Sequence, residues 1–197
     1  MARDDEAVGA ELTAPQPFRR GPGVEPARVA AAVSLDAEDV VTRRHVPVVA
    51  SVGLPFLVAE LGSRDALRRV APDPAALAEV LHLAGVTGLH LYTRDVAPED
   101  APDAGCDLSA RMVCRVPGVV EDPATGSANC ALVALLAELA PGPDATLEMA
   151  IAQGVDMGRP GLLHARAHKR GGAVEEVRVG GRCVEMMQGT LRLAAAA

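Results

Sequence analysis

The chain has 197 residues, room for one large domain, with a formal net charge of −7. Its arginines are scattered, as at Arg43-Arg44 and Arg68-Arg69, and Lys169 is the single lysine, so the dense basic patch of a nucleic-acid surface is missing. Hydrophobic residues make up 49% and aromatics only 2%, so a core must be built from Ala, Val and Leu.

No apolar run reaches the roughly 18 residues that span a bilayer, and residues 1–8 are acidic and lack the apolar stretch of a signal peptide. Cys106, Cys114, Cys130 and Cys183 form no C-x-x-C pair and are read as reduced thiols, which points to a cytoplasmic protein without a membrane partner.

In chain order, residues 1–11 read as a polar, frayed start. Residues 11–23 begin as a strand and become a connector where the prolines gather. A helix is predicted over 25–33 with Pro26 in its first turn, then a short turn over 37–40 capped by Ser34 or Asp36. Residues 46–52 and 55–60 read as strands around Gly53. Ser63 caps a helix over 63–70, and Asp73 caps the next over 74–83. A strand over 88–94, an acidic loop over 95–107 and a strand over 108–116 follow. His82 and His90 are placed on a helix surface and a strand surface. His164 and His168, four residues apart on one strand, lie about 13 Å from each other and share no metal ion. Further strands are expected at 145–151, 163–169, 174–179 and 183–193, with Gly171-Gly172 and Gly180-Gly181 as turns.

The pattern centres on residues 121–139, where E-D-P-A-T-G-S-A feeds a helix without a polar side chain from Cys130 to Ala137. Apolar on every face, that helix belongs inside a core. Ser127 is read as its cap, and Pro141-Gly142 as its stop. Its N-terminus presents unpaired N–H groups and a partial positive charge, with Asp122 alongside. These features mark Asp122 and Ser127 as candidate catalytic residues and Gly126 and Ala128 as amide donors to a substrate carboxylate. Against this stand plainer readings: Asp122 as a mere cap, and Glu121 as solvated or paired with an arginine. The loop lacks the Gly-Lys-Ser/Thr ending of a P-loop and the G-x-S-x-G elbow of a hydrolase. A second cluster, Gly154, Met157, Gly158 and Arg159, allows close backbone approach and a guanidinium fork for a carboxylate; a strand-end bulge with Arg159 in an ion pair is the alternative.

E-D-P-A-T-G-S-A at 121–128, S-V-G-L-P-F-L at 51–57 and Q-G-V-D-M-G-R-P at 153–160 together resemble motifs of the PhzF-like phenazine-biosynthesis isomerase family. The resemblance runs over residues 12–193 and covers that family's second domain. It implies a diaminopimelate-epimerase-like fold, α/β in class (α+β), with a barrel of mixed strands around a central buried helix and helices on the surface. It also implies proton abstraction and return on a small carboxylate-bearing metabolite, with no cofactor and no metal. Asp122 matches the family's cleft aspartate. The family's first domain carries F-x-G-N-P, a glutamate proton carrier and C-G-H-A-T, and none of these occurs here. The expected organisation is therefore a frayed terminus and linker over 1–24, remnant of a first domain; a second domain over 25–182; and a strand over 183–197 crossing to a partner. This describes an incomplete or split enzyme working as a homodimer or with a separately encoded first domain, its principal acid/base coming from elsewhere. A non-catalytic binding protein, or a decayed remnant, is the alternative.

Overall fold

A computed structural model of the protein describes residues 8–100, 105–116, 119–183 and 187–190. Its strands are β1 (Val8–Thr13), β2 (Arg19–Gly23), β3 (Val40–Val41), β4 (Val48–Ser51), β5 (Pro55–Leu61), β6 (Gly88–Thr93), β7 (Leu108–Val116), β8 (Val119–Asp122), β9 (Ala145–Gln153), β10 (Gly161–Arg170) and β11 (Ala173–Cys183). They join into one sheet in the order β1-β11-β10-β9-β7-β6-β5-β4-β2, with β3 against β5 and β8 against β7. The pairs β5–β6 and β7–β9 are parallel and the others antiparallel, so the sheet is mixed. Beyond β1, Ala14 N–H donates to Val177 O and Gln16 N–H to Val52 O, tying the two outer ends of the sheet toward each other.

Helix α4 (Gly126–Glu138) lies in the curl of this sheet, with residues 128–137 buried without a break. It packs on β4, β5, β9, β10 and β11. The helices α1 (Pro26–Ala32), α2 (Arg64–Arg69) and α3 (Pro74–Ala84) cover the opposite face of the β4–β7 region. β5 shows how the sequence serves both layers. Phe56 and Val58 point at α4, while Leu57, Ala59 and Leu61 point at the outer helices. A strand covered on both faces reads as a continuous apolar run rather than an alternating one.

The caps at Ser63 and Asp73 form as the sequence predicts: Ser63 Oγ accepts from Ala66 N–H, and Asp73 from Ala75 and Ala76 N–H. Lys169, 6% exposed, donates to the carbonyls of Glu138 and Ala140, setting the only lysine of the chain at the negative end of α4.

Several expectations are corrected. Ser127 is not the cap of α4: it is the second helical residue, Thr125 holds the capping position, and no side chain caps there. His90 is not on a surface but fully buried, facing α4. Gly180-Gly181 is not a turn. β11 runs straight through it, because a Cβ at Gly180 would lie 2.6 Å from Ala10 O, so glycine lets β1 close in. The hairpin strand β8 was not foreseen, its two exposed valines giving little amphipathic signal. The stretch expected as frayed start and linker carries β1 and β2, both in the sheet; residues 1–7 lie outside the described residues. Of the strand expected over 183–193, Cys183 ends β11, residues 187–190 form no strand, and the rest lies outside the described residues.

Candidate functional site

β8 delivers Asp122 to the mouth of the curl, and three residues later the chain enters α4. Asp122 is half-buried, and its carboxylate accepts from Thr125 Oγ1 at 2.5 Å. The first helical hydrogen bond here runs from Asn129 N–H to Thr125 O at 3.1 Å. The N–H groups of Gly126, Ser127 and Ala128 precede it and meet no partner among the described residues. Ser127 is half-buried, and its hydroxyl has none either among those residues. Three free donors and a hydroxyl thus stand one turn from a carboxylate. Such an end attracts an anionic group through its N–H groups and the helix dipole.

What fixes this loop is Gln153, the last residue of β9 and 0% exposed. Its Oε1 accepts from Thr125 N–H (3.2 Å) and Asn129 Nδ2 (2.7 Å), and its Nε2 donates to Asp122 O (2.8 Å) and Thr125 Oγ1 (3.1 Å). The amide has spent both hydrogens and both lone pairs. Asn129 extends the chain inward: Nδ2 also donates to Thr125 O, and Oδ1 accepts from His90 Nε2 at 3.2 Å. Gln153 and Asn129 were not singled out from the sequence, and His90 was placed on a strand surface. The available signals were that Gln153 opens the second motif and that Asn129 is the only strongly polar side chain in the buried part of α4.

His90 has Nε2 as its donor, and Nδ1 has no partner among the described residues. Burial holds its pKa down to about 4, against the upward pull of the Asn129 bond. The unfolded chain therefore binds a proton between about pH 6.5 and 4 that the folded chain refuses. Stability from this group is complete above 6.5 and is lost as the pH falls toward 4, by about 3 kcal/mol at 1.36 kcal/mol per pKa unit. Chemical denaturation of His90→Gln, which keeps a donor for Asn129, should show a clearly flatter decline between pH 7 and 4. An unchanged decline would place the acid sensitivity elsewhere.

The second motif loop folds against the first. Gly154 has φ +81°, and a Cβ there would lie 2.4 Å from Arg159 O and 2.7 Å from Pro123 O. Gly158 is also left-handed, at φ +68°, but faces open space. The turn Val155–Met157 is anchored from below through Asp156, whose carboxylate takes two hydrogen bonds from Arg64 (2.9 and 3.0 Å). Arg64 Nε holds Asp100 at 2.8 Å, and Ser109 Oγ donates to the same carboxylate. Burial pushes the Asp100 carboxyl up, yet bonds from Ser109, Ala97 N–H and Arg64 outweigh it and hold the group below its ordinary range. Arg159 is exposed, and its side chain has no partner among the described residues. Glu121 forms a two-pronged pair with Arg111 (2.8 and 2.7 Å), whose remaining nitrogen caps α2 through Leu67 O and Val70 O. Its carboxylate is thus committed to the fold.

Beside Ala124 and Gly126, strands β1, β10 and β11 leave a mainly apolar cavity of about 320 Å³, walled by Leu12, Leu162, Leu163 and Val179. It reaches Gly126 but not Asp122 or Ser127. Asp122, Ser127, Gly126 and Ala128 form one group, Gly154 packs on it through Pro123, the Arg159 carbonyl closes on Gly154, and Gly158 and Arg159 are exposed.

Residues 2–189 match the family model described as phenazine biosynthesis-like protein. The chain belongs to that family. Among its relatives, an uncharacterized isomerase of Mesorhizobium japonicum is 26% identical over 97% of this chain and 63% of its own length. A trans-2,3-dihydro-3-hydroxyanthranilate isomerase of Pseudomonas chlororaphis is 34% identical over 76% of this chain and 45% of its own. The structure of a phenazine biosynthesis protein of the PhzF family from Bacillus anthracis covers 92% of this chain and 60% of its own, with TM-score 0.74 and 18% identity, a likeness of fold. A predicted epimerase from Pseudomonas aeruginosa superimposes with TM-score 0.62 at 29% identity, covering 88% of this chain and 55% of its own. The chain thus spans less than two thirds of the length of each of these relatives. The curled mixed sheet around α4 is the fold that they share with it.

Proposed function

We propose that this chain supplies one half of a PhzF-type isomerase, which withdraws and returns a proton on a small carboxylate-bearing metabolite without an organic cofactor. The observation that carries the reading is the pairing of three unmet N–H donors at Gly126–Ser127–Ala128 with the Asp122 carboxylate. In this reading the substrate carboxylate sits on those amides and on Ser127 Oγ. Fixed donors of this kind stabilise charge that develops on the substrate as its proton leaves. Asp122, held in place by Thr125 and Gln153, positions the substrate or relays the proton. Arg159 closes on a second anionic group from the outer side, and Gly154 and Gly158 let that loop lie close.

No second acid/base group stands beside Asp122 among the described residues, since Glu121 is tied to Arg111 and His90 is sealed away. The principal acid/base is therefore assigned to a first domain, carried by another chain or completed in a homodimer. The exposed apolar side chains of Leu12, Val119 and Val120 suit such a partner.

The test is an amide NMR titration with small dicarboxylates and cyclic amino acids. Signals of Gly126, Ser127 and Ala128 should move on binding. Asp122→Asn and Ser127→Ala should suppress the movement by at least tenfold in affinity while leaving the spectrum folded. Unfolding of either variant would instead give these residues a purely structural role.

A further inference from the structure

At the C-terminal ends of the parallel strands β5 and β6, residues 41–44 close over a second cavity of about 500 Å³, the size of a metabolite site. It shares no residue with the start of α4. Its lining includes Arg43, Arg44 and Arg94, faced by Glu60 and Asp95. Arg43 and Arg44 are exposed and make no ion pair among the described residues, in a chain whose net charge is −7. One oxygen of Asp95 accepts from the Arg64 backbone N–H at 2.9 Å. Arg94 reaches Glu60 only at 3.6 Å, and its Nε is enclosed with no hydrogen-bond partner among the described residues. Cationic donors thus outnumber the acceptors that engage them.

Behind Glu60 lies a buried row that is one hydrogen short. His45 Nδ1 stands 2.8 Å from Val46 O, so Nδ1 carries a hydrogen. Its Nε2 stands 2.9 Å from the Tyr92 hydroxyl, and that hydroxyl also reaches Glu60 Oε2 at 3.1 Å. One hydroxyl hydrogen cannot serve both acceptors. A proton on His45 Nε2 fills the row: the imidazolium donates to Tyr92, and Tyr92 donates to Glu60. The charged groups that face this row are Arg20 on β2, Arg44 and Arg94 on the pocket wall, and Glu60. Burial lowers the pKa of His45; Val46 O and Glu60 pull it back up, while Arg20 and Arg94 add to the lowering. An anion resting on Arg94 offsets that guanidinium's share of the opposition. The pocket and the row are therefore linked, and by that linkage the anion binds more tightly as pH falls.

We propose that this pocket is a binding site for a small oxyanion of the carboxylate or phosphate class, taken up together with one proton by the Glu60–Tyr92–His45 row. Arg43 and Arg44 supply the forks for bidentate contact, the geometry that guanidinium groups offer to either class.

Isothermal titration of the whole chain with citrate and with pyrophosphate, each in two buffers of unequal ionisation enthalpy, tests this. With the α4 site weakened by Asp122→Asn, at least one anion should bind saturably at one per chain. The buffer dependence of the heat should report net proton uptake that grows toward pH 6, and affinity should rise several-fold from pH 8 to 6. Preference for citrate assigns the carboxylate class and preference for pyrophosphate the phosphate class. Paired Arg43→Ala and Arg44→Ala should weaken binding at least tenfold. Glu60→Gln should keep the anion but abolish proton uptake. In the Asp122→Asn background, where the α4 site is weakened, the proton uptake and the loss from Arg43→Ala and Arg44→Ala should persist, which separates this site from the one at α4. Absence of saturable binding, an equal loss from Arg170→Ala on the far surface, or binding without proton uptake would overturn the proposal.

Discussion

Leu135→Asp should yield no folded protein. Leu135 is 0% exposed in the middle of α4, with buried residues on either side along the helix. Aspartate removes an aliphatic group whose burial stabilises by about 2 kcal/mol. It also places a carboxylate where no donor or cation waits, at a cost of several kcal/mol more. Domains are stable by only about 5–15 kcal/mol, so the sum approaches or exceeds the total. The α4 position makes it worse than a peripheral site, because this one helix carries the inner face of strands from both halves of the sheet. Expression in inclusion bodies, or a purified chain without a cooperative thermal transition, is the expected outcome. A variant that melts cooperatively near the parent temperature would show that the sheet does not depend on α4.

Gly154→Ala should be nearly as informative with a single methyl group. Its φ of +81° costs an L-residue about 1–2 kcal/mol. The added Cβ also meets two backbone oxygens, at 2.4 and 2.7 Å, which cannot rotate aside as a side chain would. A total near 3 kcal/mol should lower Tm by about 6–12 °C for a chain of this size. Because one of those oxygens belongs to Pro123, the strain falls on the loop that holds Asp122. Ligand shifts at Gly126–Ala128 should weaken with it. Gly158→Ala is the natural control: its φ is also positive, at +68°, but nothing lies within 4 Å, so only the conformational cost remains. Equal losses in the two variants would mean that the packing of the two motif loops contributes nothing.

Much of this architecture was legible from local signals. Ser63 and Asp73 announced their helices by cap chemistry, and the unbroken apolar run of α4 announced its place in the core. The motif residues 121–128 and 153–160 stood out in the sequence, and the structure sets them against each other through Gly154 and Gln153. The misreadings have physical causes. Gly180-Gly181 looks like a turn, yet these glycines serve the close approach of β1 within a long strand, a tertiary need that the dipeptide does not display. His90 sits in a strand buried on both faces, where alternation vanishes and a single histidine reads as surface. Ser127 follows a glycine that is itself helical, so the cap position falls two residues earlier than the serine suggests. Gln153 was passed over because a neutral amide looks bland until its four partners are assembled by folding.

The central claim, that this chain holds one half of an isomerase site around Asp122, is tested most directly by deuterium wash-in. The chain would be incubated in D2O with small carboxylates, among them the substrate named for the Pseudomonas chlororaphis relative. One sample would contain the chain alone, and another would add, separately expressed, the part of the Mesorhizobium japonicum relative that this chain does not cover, as a candidate first domain. The account predicts no deuterium in the substrate from the chain alone, and incorporation on addition of the first domain. It also predicts a fall of at least about 100-fold when Asp122→Asn replaces the parent, the scale of a lost acid/base or positioning group. Incorporation by the chain alone, or an undiminished rate with Asp122→Asn, would contradict it.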